Sequence, residues 1–322
     1  MSLHVFANFV TPFGTAANNR AETEGNITTL QKLLWQGETH STVSAEAVRF
    51  ALRRILGATE KTNRKWDEAL RANVWEDHAF KAWATEKGVT FIDDDLLGYM
   101  IAEAAKEEAD GGDDVPDVDA DPKASKKAKA KGTANVRRSP LEITRAISLT
   151  PWAGDVTFNA ASPGATPSAQ KAGSNPVPYG TEVHATRYQY GIALTPERLR
   201  DKSRAAKAIH ALCNLGTVAG NHGRFLFDFS PEAVVIRLTP DPAPRLLYCF
   251  DTRDDGKTVL APALVARIKA GDIDPAELIL GVGDLDSPLA KQLAAAGVKA
   301  VGNKAACAEA VKRINSTLGI KE

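Results

Sequence analysis

An abrupt change of hydrophobic period near the N-terminus constrains the fold most. Leu3–Phe13 alternates apolar and polar residues as a strand does. Further on, Val43, Ala47, Val48, Ala51, Leu52 and Ile55 recur at the three- and four-residue spacing of one apolar helix face. Arg49 and Arg53 lie four apart and project together from another face of that helix. Ser44 stands where an N-cap belongs, so free backbone N–H groups and the positive end of the helix dipole lie beside the arginines. Such a combination suits a phosphate. The plainer reading is a solvated amphipathic helix whose arginines only confer solubility.

The rest of the chain extends this strand-then-helix beginning. Ile143–Leu149 and Arg187–Leu194 alternate, and Val234–Leu238 and Leu246–Phe250 are β-branched or aromatic runs bounded by prolines. Ser203–Gly216 has helical spacing through Ala206, Ile209 and Cys213. A β-α-β-β-α-β order accounts for these segments, as in a ferredoxin-like or RNA-recognition (RRM-like) fold of the α/β (α+β) class. Trp66–Ala84, with Trp66, Leu70, Val74 and Trp83, is apolar enough to be expected in the core. Val259–Glu322 alternates helix-like segments with a strand-like Leu278–Val282 and is expected to pack beside the sheet.

Charge is balanced overall, with 40 basic and 40 acidic side chains, so any nucleic-acid surface requires charge separation in space. The middle of the chain has it. Glu107–Asp121 carries eight acids and no base, whereas Lys123–Arg138 is basic without an acid. With Gly111, Gly112, Pro116 and Pro122 and few bulky apolar residues, 105–135 reads as a flexible insertion. Asp117, Asp119 and Asp121 alternate as in a calcium loop, but Pro122 stands where glycine is needed and the distal glutamate is missing. Between Trp152 and Glu182 a second Gly/Pro-punctuated stretch suggests another insertion: the plain reading is a long loop, but stretches of this length tend to be functional or disordered.

No convincing catalytic set is visible. The six histidines lie in unrelated contexts, and Gly281-Val-Gly283 lacks a third glycine or a lysine. Asp93-Asp94-Asp95 offers carboxylates for magnesium, but Leu96, Leu97, Met100 and Ile101 follow at helical spacing, which favours the first turn of a helix. Cys213, Cys249 and Cys307 are widely spaced and form no zinc pattern. The N-terminus has no basic segment followed by an apolar run, and no apolar run approaches the ~20 residues of a membrane span. A cytoplasmic protein without membrane attachment and without a cofactor is expected.

The order of strand, Asn18-Asn19-Arg20 loop, glycine at Gly37, and a Val43-Ser44-x-x-small-x-Arg49-x-x-x-Arg53 helix resembles the backbone subunit of type I CRISPR surveillance complexes (Cascade), in its DevR-type branch. Arg138–Trp152, Tyr188–Leu194, Val218–Arg224 and Asp228–Pro231 follow in the order of that family. The resemblance implies a hand-shaped molecule: an RRM-like palm (1–57 and 136–258), a helical finger or web insertion (58–135), a β-hairpin thumb (151–185), and a C-terminal part (259–322) packed on the palm.

It further implies RNA contacts at Asn19, Arg20, Lys32, Ser44, Arg49 and Arg53, with Arg49 and Arg53 on phosphates. On the thumb, Trp152, Phe158 or Tyr179 would supply an apolar wedge or stacking face for a displaced nucleotide, and Lys171 a phosphate contact. Glu46 departs from the family pattern: it either faces away from the RNA or braces an arginine. The implied partners are the CRISPR guide RNA, target DNA through that guide, and further copies head to tail. The guide 5′-end cap subunit, the large and small subunits and a repeat-processing endonuclease complete the set, in a complex of I-B-like subtype. On this view the chain is a scaffold and no enzyme. The alternatives are a metal-dependent nuclease acting through Asp93–Asp95 or the 113–121 acids, and a free-standing transcriptional or developmental regulator.

Overall fold

Alternation along the first strand divides the interior in two. In β1 (His4–Val10), Val5, Ala7 and Phe9 enter one buried cluster, and Phe6 and Val10 enter another on the opposite face. The computed structural model describes residues 2–17, 23–84, 90–102, 134–173, 175–218 and 226–321.

The β-α-β-β-α-β unit is formed by β1, α1 (Ala45–Leu56), β2 (Ala146–Ser148), β3 (Tyr188–Leu194), α2 (Arg204–Cys213) and β4 (Ala233–Thr239). Its strands lie in the spatial order β4-β1-β3-β2, with β1 antiparallel to both neighbours. A hairpin of Lys32–Trp35 and Glu38–Val43 extends the sheet beyond β2. Its two-residue turn has φ of 51° at Gln36 and 90° at Gly37, the geometry that matches the twist of antiparallel strands.

At the other edge, β5 (Leu278–Val282) pairs antiparallel with β4, and β6 (Ala300–Gly302) runs parallel to β5. The C-terminal part therefore extends the sheet as well as covering it. Gly281, in the Gly281-Val-Gly283 pair, makes this possible: a Cβ there would lie 2.8 Å from Ala306 Cβ of α3 (Asn303–Leu318). This glycine serves close helix–strand packing.

One face of the sheet is covered by α1, α2 and α3 through Leu52, Leu56, Ile209, Leu212, Ala310 and Ile314. On the other face Phe6, Val10, Val235 and Leu280 are buried by Phe250, Leu264 and Leu289. An RNA-recognition domain uses that second face for stacking bases. Here it is filled, so it offers no open platform of that kind.

Four expectations change. Leu246–Phe250 is irregular: Arg245 and Tyr248 have φ near +55°, and the buried side chains of Asn8 and Gln189 replace a ladder by accepting from Tyr248 N (3.1 Å) and Phe250 N (3.2 Å). Ile143–Leu149 splits into Leu141–Ile143 and β2, because Thr144 leaves the ladder and bonds Gly191 through backbone and hydroxyl. The described part of the 58–135 insertion is helical only at Lys81–Ala84 and Ile92–Leu97. Otherwise it holds a hairpin (Arg64–Asp67 with Ala72–Trp75) and a ribbon (Tyr99–Ala102 with Ala134–Arg137).

Within that hairpin, Leu70 is 67% and Trp66 39% exposed, against the expected burial. Asp67 Oδ1 accepts from Ala69 N and Leu70 N, ending the strand and turning Leu70 outward. The 105–133 part of the charged segment, with its candidate calcium aspartates, lies outside the described residues, as do Asn19, Arg20 and 219–225.

Candidate nucleic-acid interface

Helix α1 is the scaffold of the site. Ser44, in extended conformation (φ −68°, ψ 150°), caps it by accepting from Ala47 N at 3.2 Å. Val48, Ala51, Leu52 and Leu56 fix one face in the core, each leucine contributing roughly 1.5–3 kcal/mol of burial. The arginines stay on the other side. Arg49 is half-buried, its Nε is enclosed, and that atom has no hydrogen-bond partner among the described residues. A buried donor left unmade costs ~1–3 kcal/mol, a debt that an anionic ligand would relieve.

Glu46 is exposed at the start of the helix, and its own backbone N–H, Ser44 and the Arg49 and Arg145 charges together hold its carboxyl below the usual range. Arg145 escaped the sequence reading. It follows the break at Thr144, and its guanidinium reaches Thr42 Oγ1 at 3.2 Å, close to the N-terminus of α1. The only sequence signal was a lone arginine between two short apolar runs.

Arg53 is occupied differently. Its Nε donates to Asp93 Oδ2 at 3.1 Å, and Asp93 is 1% exposed. Burial works against the Arg53 charge and the neighbouring Arg64 adds to that, with Asp93 offsetting them only in part.

The aspartate triplet is thus a buried anchor at the first turn of the helix Ile92–Leu97. Asp93 also accepts the backbone N–H groups of Asn63 and Arg64, and Asp94 accepts from Asn63 Nδ2 at 2.9 Å. Asp95 takes Arg137 and Arg204, each at 2.8 Å. Burial, then the Asp93 charge, raises the Asp94 carboxyl to about 7. Among the described residues no group of three or more His, Cys, Asp or Glu is placed to hold a metal ion.

A Ser–His contact also exists. Ser41 Oγ lies 2.7 Å from His184 Nδ1 and 2.7 Å from the Tyr188 hydroxyl. Ser41 is fully buried, and the other His184 nitrogen faces the Pro151 carbonyl at 3.1 Å. Burial lowers His184 to about 4, so it is neutral and braces the sheet.

A family model described as CRISPR-associated negative auto-regulator DevR/Csa2 matches residues 11–251. The chain belongs to this family. A "CRISPR-associated protein Cas7/Cst2/DevR" of Myxococcus xanthus (strain DK1622) is 58% identical over 318 residues, 98% of each chain. Two solved chains share the fold. One, from a "CRISPR RNA-guided surveillance complex", has TM-score 0.53 and 14% identity over 95% of this chain and 99% of that one. The other, from such a complex described as pre-nicking, has TM-score 0.53 and 12% identity over 97% and 99%.

In this DevR/Csa2 member the second insertion is a hairpin. Val156–Ala161 pairs antiparallel with Val177–Glu182, which in turn runs beside Ile27–Thr28 from the first loop. The hairpin and that loop form one small sheet. At its base Lys32 Nζ contacts both Glu182 carboxylate oxygens, at 2.7 and 2.6 Å, and lies 3.9 Å from the centre of the Trp152 ring. Trp152 Nε1 donates to Val183 O at 2.9 Å. Lys32 and Trp152 thus brace the hairpin to the main sheet. Phe158 does not: its ring is 80% exposed, with Val156 on the same face of the strand. Lys171, in the short helix Pro167–Lys171 between the two strands, is exposed as well.

Proposed function

We propose that this protein is a guide-RNA-binding backbone subunit of a type I CRISPR surveillance complex. Copies assemble head to tail along the spacer part of the guide, and the guide is presented to target DNA. The observation that carries the reading is Arg49, half-buried beside the Ser44 cap with its Nε unpartnered among the described residues. The filled second face of the sheet supports it, since RNA is then directed to the α1 edge. Ser44 and Arg49 hold phosphates without reading bases, as a protein that accepts any spacer requires. Arg53 and Lys32 act one step back, fixing the insertion and the thumb.

Phe158 of one copy, with Lys171 nearby, reaches over the guide held by the next copy and displaces a nucleotide. Such a heterologous, non-closing contact builds a helical row. Target sequence is then read by pairing with the guide. The chain serves as a scaffold, acts in the cytoplasm, and works with the guide 5′-end cap, large and small subunits and the repeat-processing endonuclease of an I-B-like system. The relative's name and the surveillance-complex structures support the backbone reading by likeness.

The family's own name, negative auto-regulator, gives a second reading, in which the free chain binds a defined DNA site. Purification from cells with and without a CRISPR repeat array separates the two. The backbone reading predicts discrete repeat-derived RNA on a large assembly, lost with Arg49→Glu. A guide-free protein that shifts its own promoter DNA overturns it.

A further inference from the structure

The exposed hairpin that sequence reasoning assigned to the core forms one wall of a groove. Its other wall is the last two turns of α1. The groove has a volume of about 360 Å³ and is lined by Phe50, Arg53, Arg54, Arg64, Lys65 and Trp66. Trp66 meets Phe50 edge-on, with ring centres 6.0 Å apart and planes at 78°, and is 39% exposed. An indole left this open is unusual for a residue whose burial is worth so much.

The charges are unevenly spent. Arg53 is held by Asp93 and Lys65 shares Glu76 with Lys61. Among the described residues the Arg64 guanidinium has only the neutral Asn73 amide oxygen, accepting at 3.1 Å, and a position 5.4 Å from the Trp75 ring. Arg54 is exposed and has no ion-pair or hydrogen-bond partner among the described residues. Glu68 is the one carboxylate in the lining. Four cations, Arg53, Arg54, Arg64 and Lys65, thus share the lining with a single carboxylate, which favours an anionic occupant.

We infer that this groove is a second nucleotide subsite, which stacks one unpaired base of a single strand on Trp66 and holds its phosphate with Arg54 and Arg64. The inference rests on the backbone reading above, because Phe50, which lines the groove, directly follows Arg49 on α1. An aromatic face among cations is the sequence-tolerant way to hold a single strand. A duplex is too wide to enter. The occupant is a nucleotide either of the guide RNA or of the target strand that pairs with it.

The test uses the assembled complex. Guides carrying 4-thiouridine, or target DNA carrying 4-thiothymidine, are irradiated at long wavelength, and the tryptic peptide Trp66–Arg71 is examined for nucleotide adducts. An adduct in the first arm assigns the guide, and in the second the target strand; either supports the subsite. In parallel, binding of fluorescein-labelled oligouridylate by the full chain should weaken about tenfold in Trp66→Ala and in the exposed-site variant Arg54→Glu. It should weaken less in Trp66→Phe and tighten in Glu68→Gln. If Arg49→Glu loses the guide while Trp66→Ala changes neither affinity nor cross-linking, the backbone reading stands and the subsite falls. RNA bound by no form of the protein overturns both, and binding of polyglutamate in place of oligouridylate overturns the subsite.

Discussion

Replacing Asp95 by alanine tests whether the aspartate triplet anchors the insertion. The Asp95 carboxylate is fully buried and accepts four hydrogen bonds: Arg137 Nη2 and Arg204 Nη1 at 2.8 Å, Arg200 N at 3.0 Å and Asp201 N at 3.1 Å. Arg204 keeps Glu60 and Thr90, and Arg137 keeps its place 3.8 Å from the Trp83 ring, so neither cation is wholly stranded. Two backbone N–H groups are left unpaired, each costing about 1–3 kcal/mol. Removing one partner of a buried pair typically costs about 3–5 kcal/mol, and the retained partners place Asp95→Ala near ~4 kcal/mol. For a chain of this size that is a fall in Tm of roughly 8 °C. Urea titration followed by circular dichroism measures it, with Asp67→Ala in the exposed hairpin as a control expected to cost under about 1 kcal/mol. Asp95→Ala within about 1 kcal/mol of the wild type would refute the anchoring role.

Other expectations follow from the same geometry. The folded-state value for Asp94 is raised from 3.8 to about 7, so the native state keeps a proton that the unfolded chain has released. Stability therefore falls as pH rises through this window, and Asp94→Asn should flatten the dependence and stabilise the protein at pH 8 by on the order of 1–3 kcal/mol in urea titrations. Gly281→Ala should destabilise by roughly 1–3 kcal/mol, since its Cβ would sit 2.8 Å from that of Ala306. Lys32→Met should cost about 1–2 kcal/mol and loosen the base of the Val156–Glu182 hairpin, read as faster proteolysis within it. Phe158→Ala should leave the urea midpoint unchanged within about 0.5 kcal/mol while altering the nuclease-protection pattern of bound RNA.

The β-α-β-β-α-β unit was legible because its signals are local. Period two in β1 and β3 and period 3.6 in α1 and α2 survive in the structure to within a few residues. The Ser44 cap was legible for the same reason. What escaped was decided by contacts distant in sequence. Nothing near Arg53 announces that Asp93, forty residues on, will occupy it. Lys32 gives no sign of Glu182, nor Leu246–Phe250 that Asn8 and Gln189 will supply its hydrogen bonds. Trp66 and Leu70 misled because apolar content was read as burial, when Asp67 turns that stretch outward. Spacing predicts which residues share a face; it does not say what the face meets.

Nuclease footprinting of the RNA-loaded complex tests the backbone account most directly. The account predicts protection of the spacer part of the guide, with partial digestion yielding a ladder of constant increment, one step per copy, and loss of the whole pattern in Arg49→Glu. A single short protected fragment whose length ignores the spacer, or a ladder unchanged in Arg49→Glu, would contradict it.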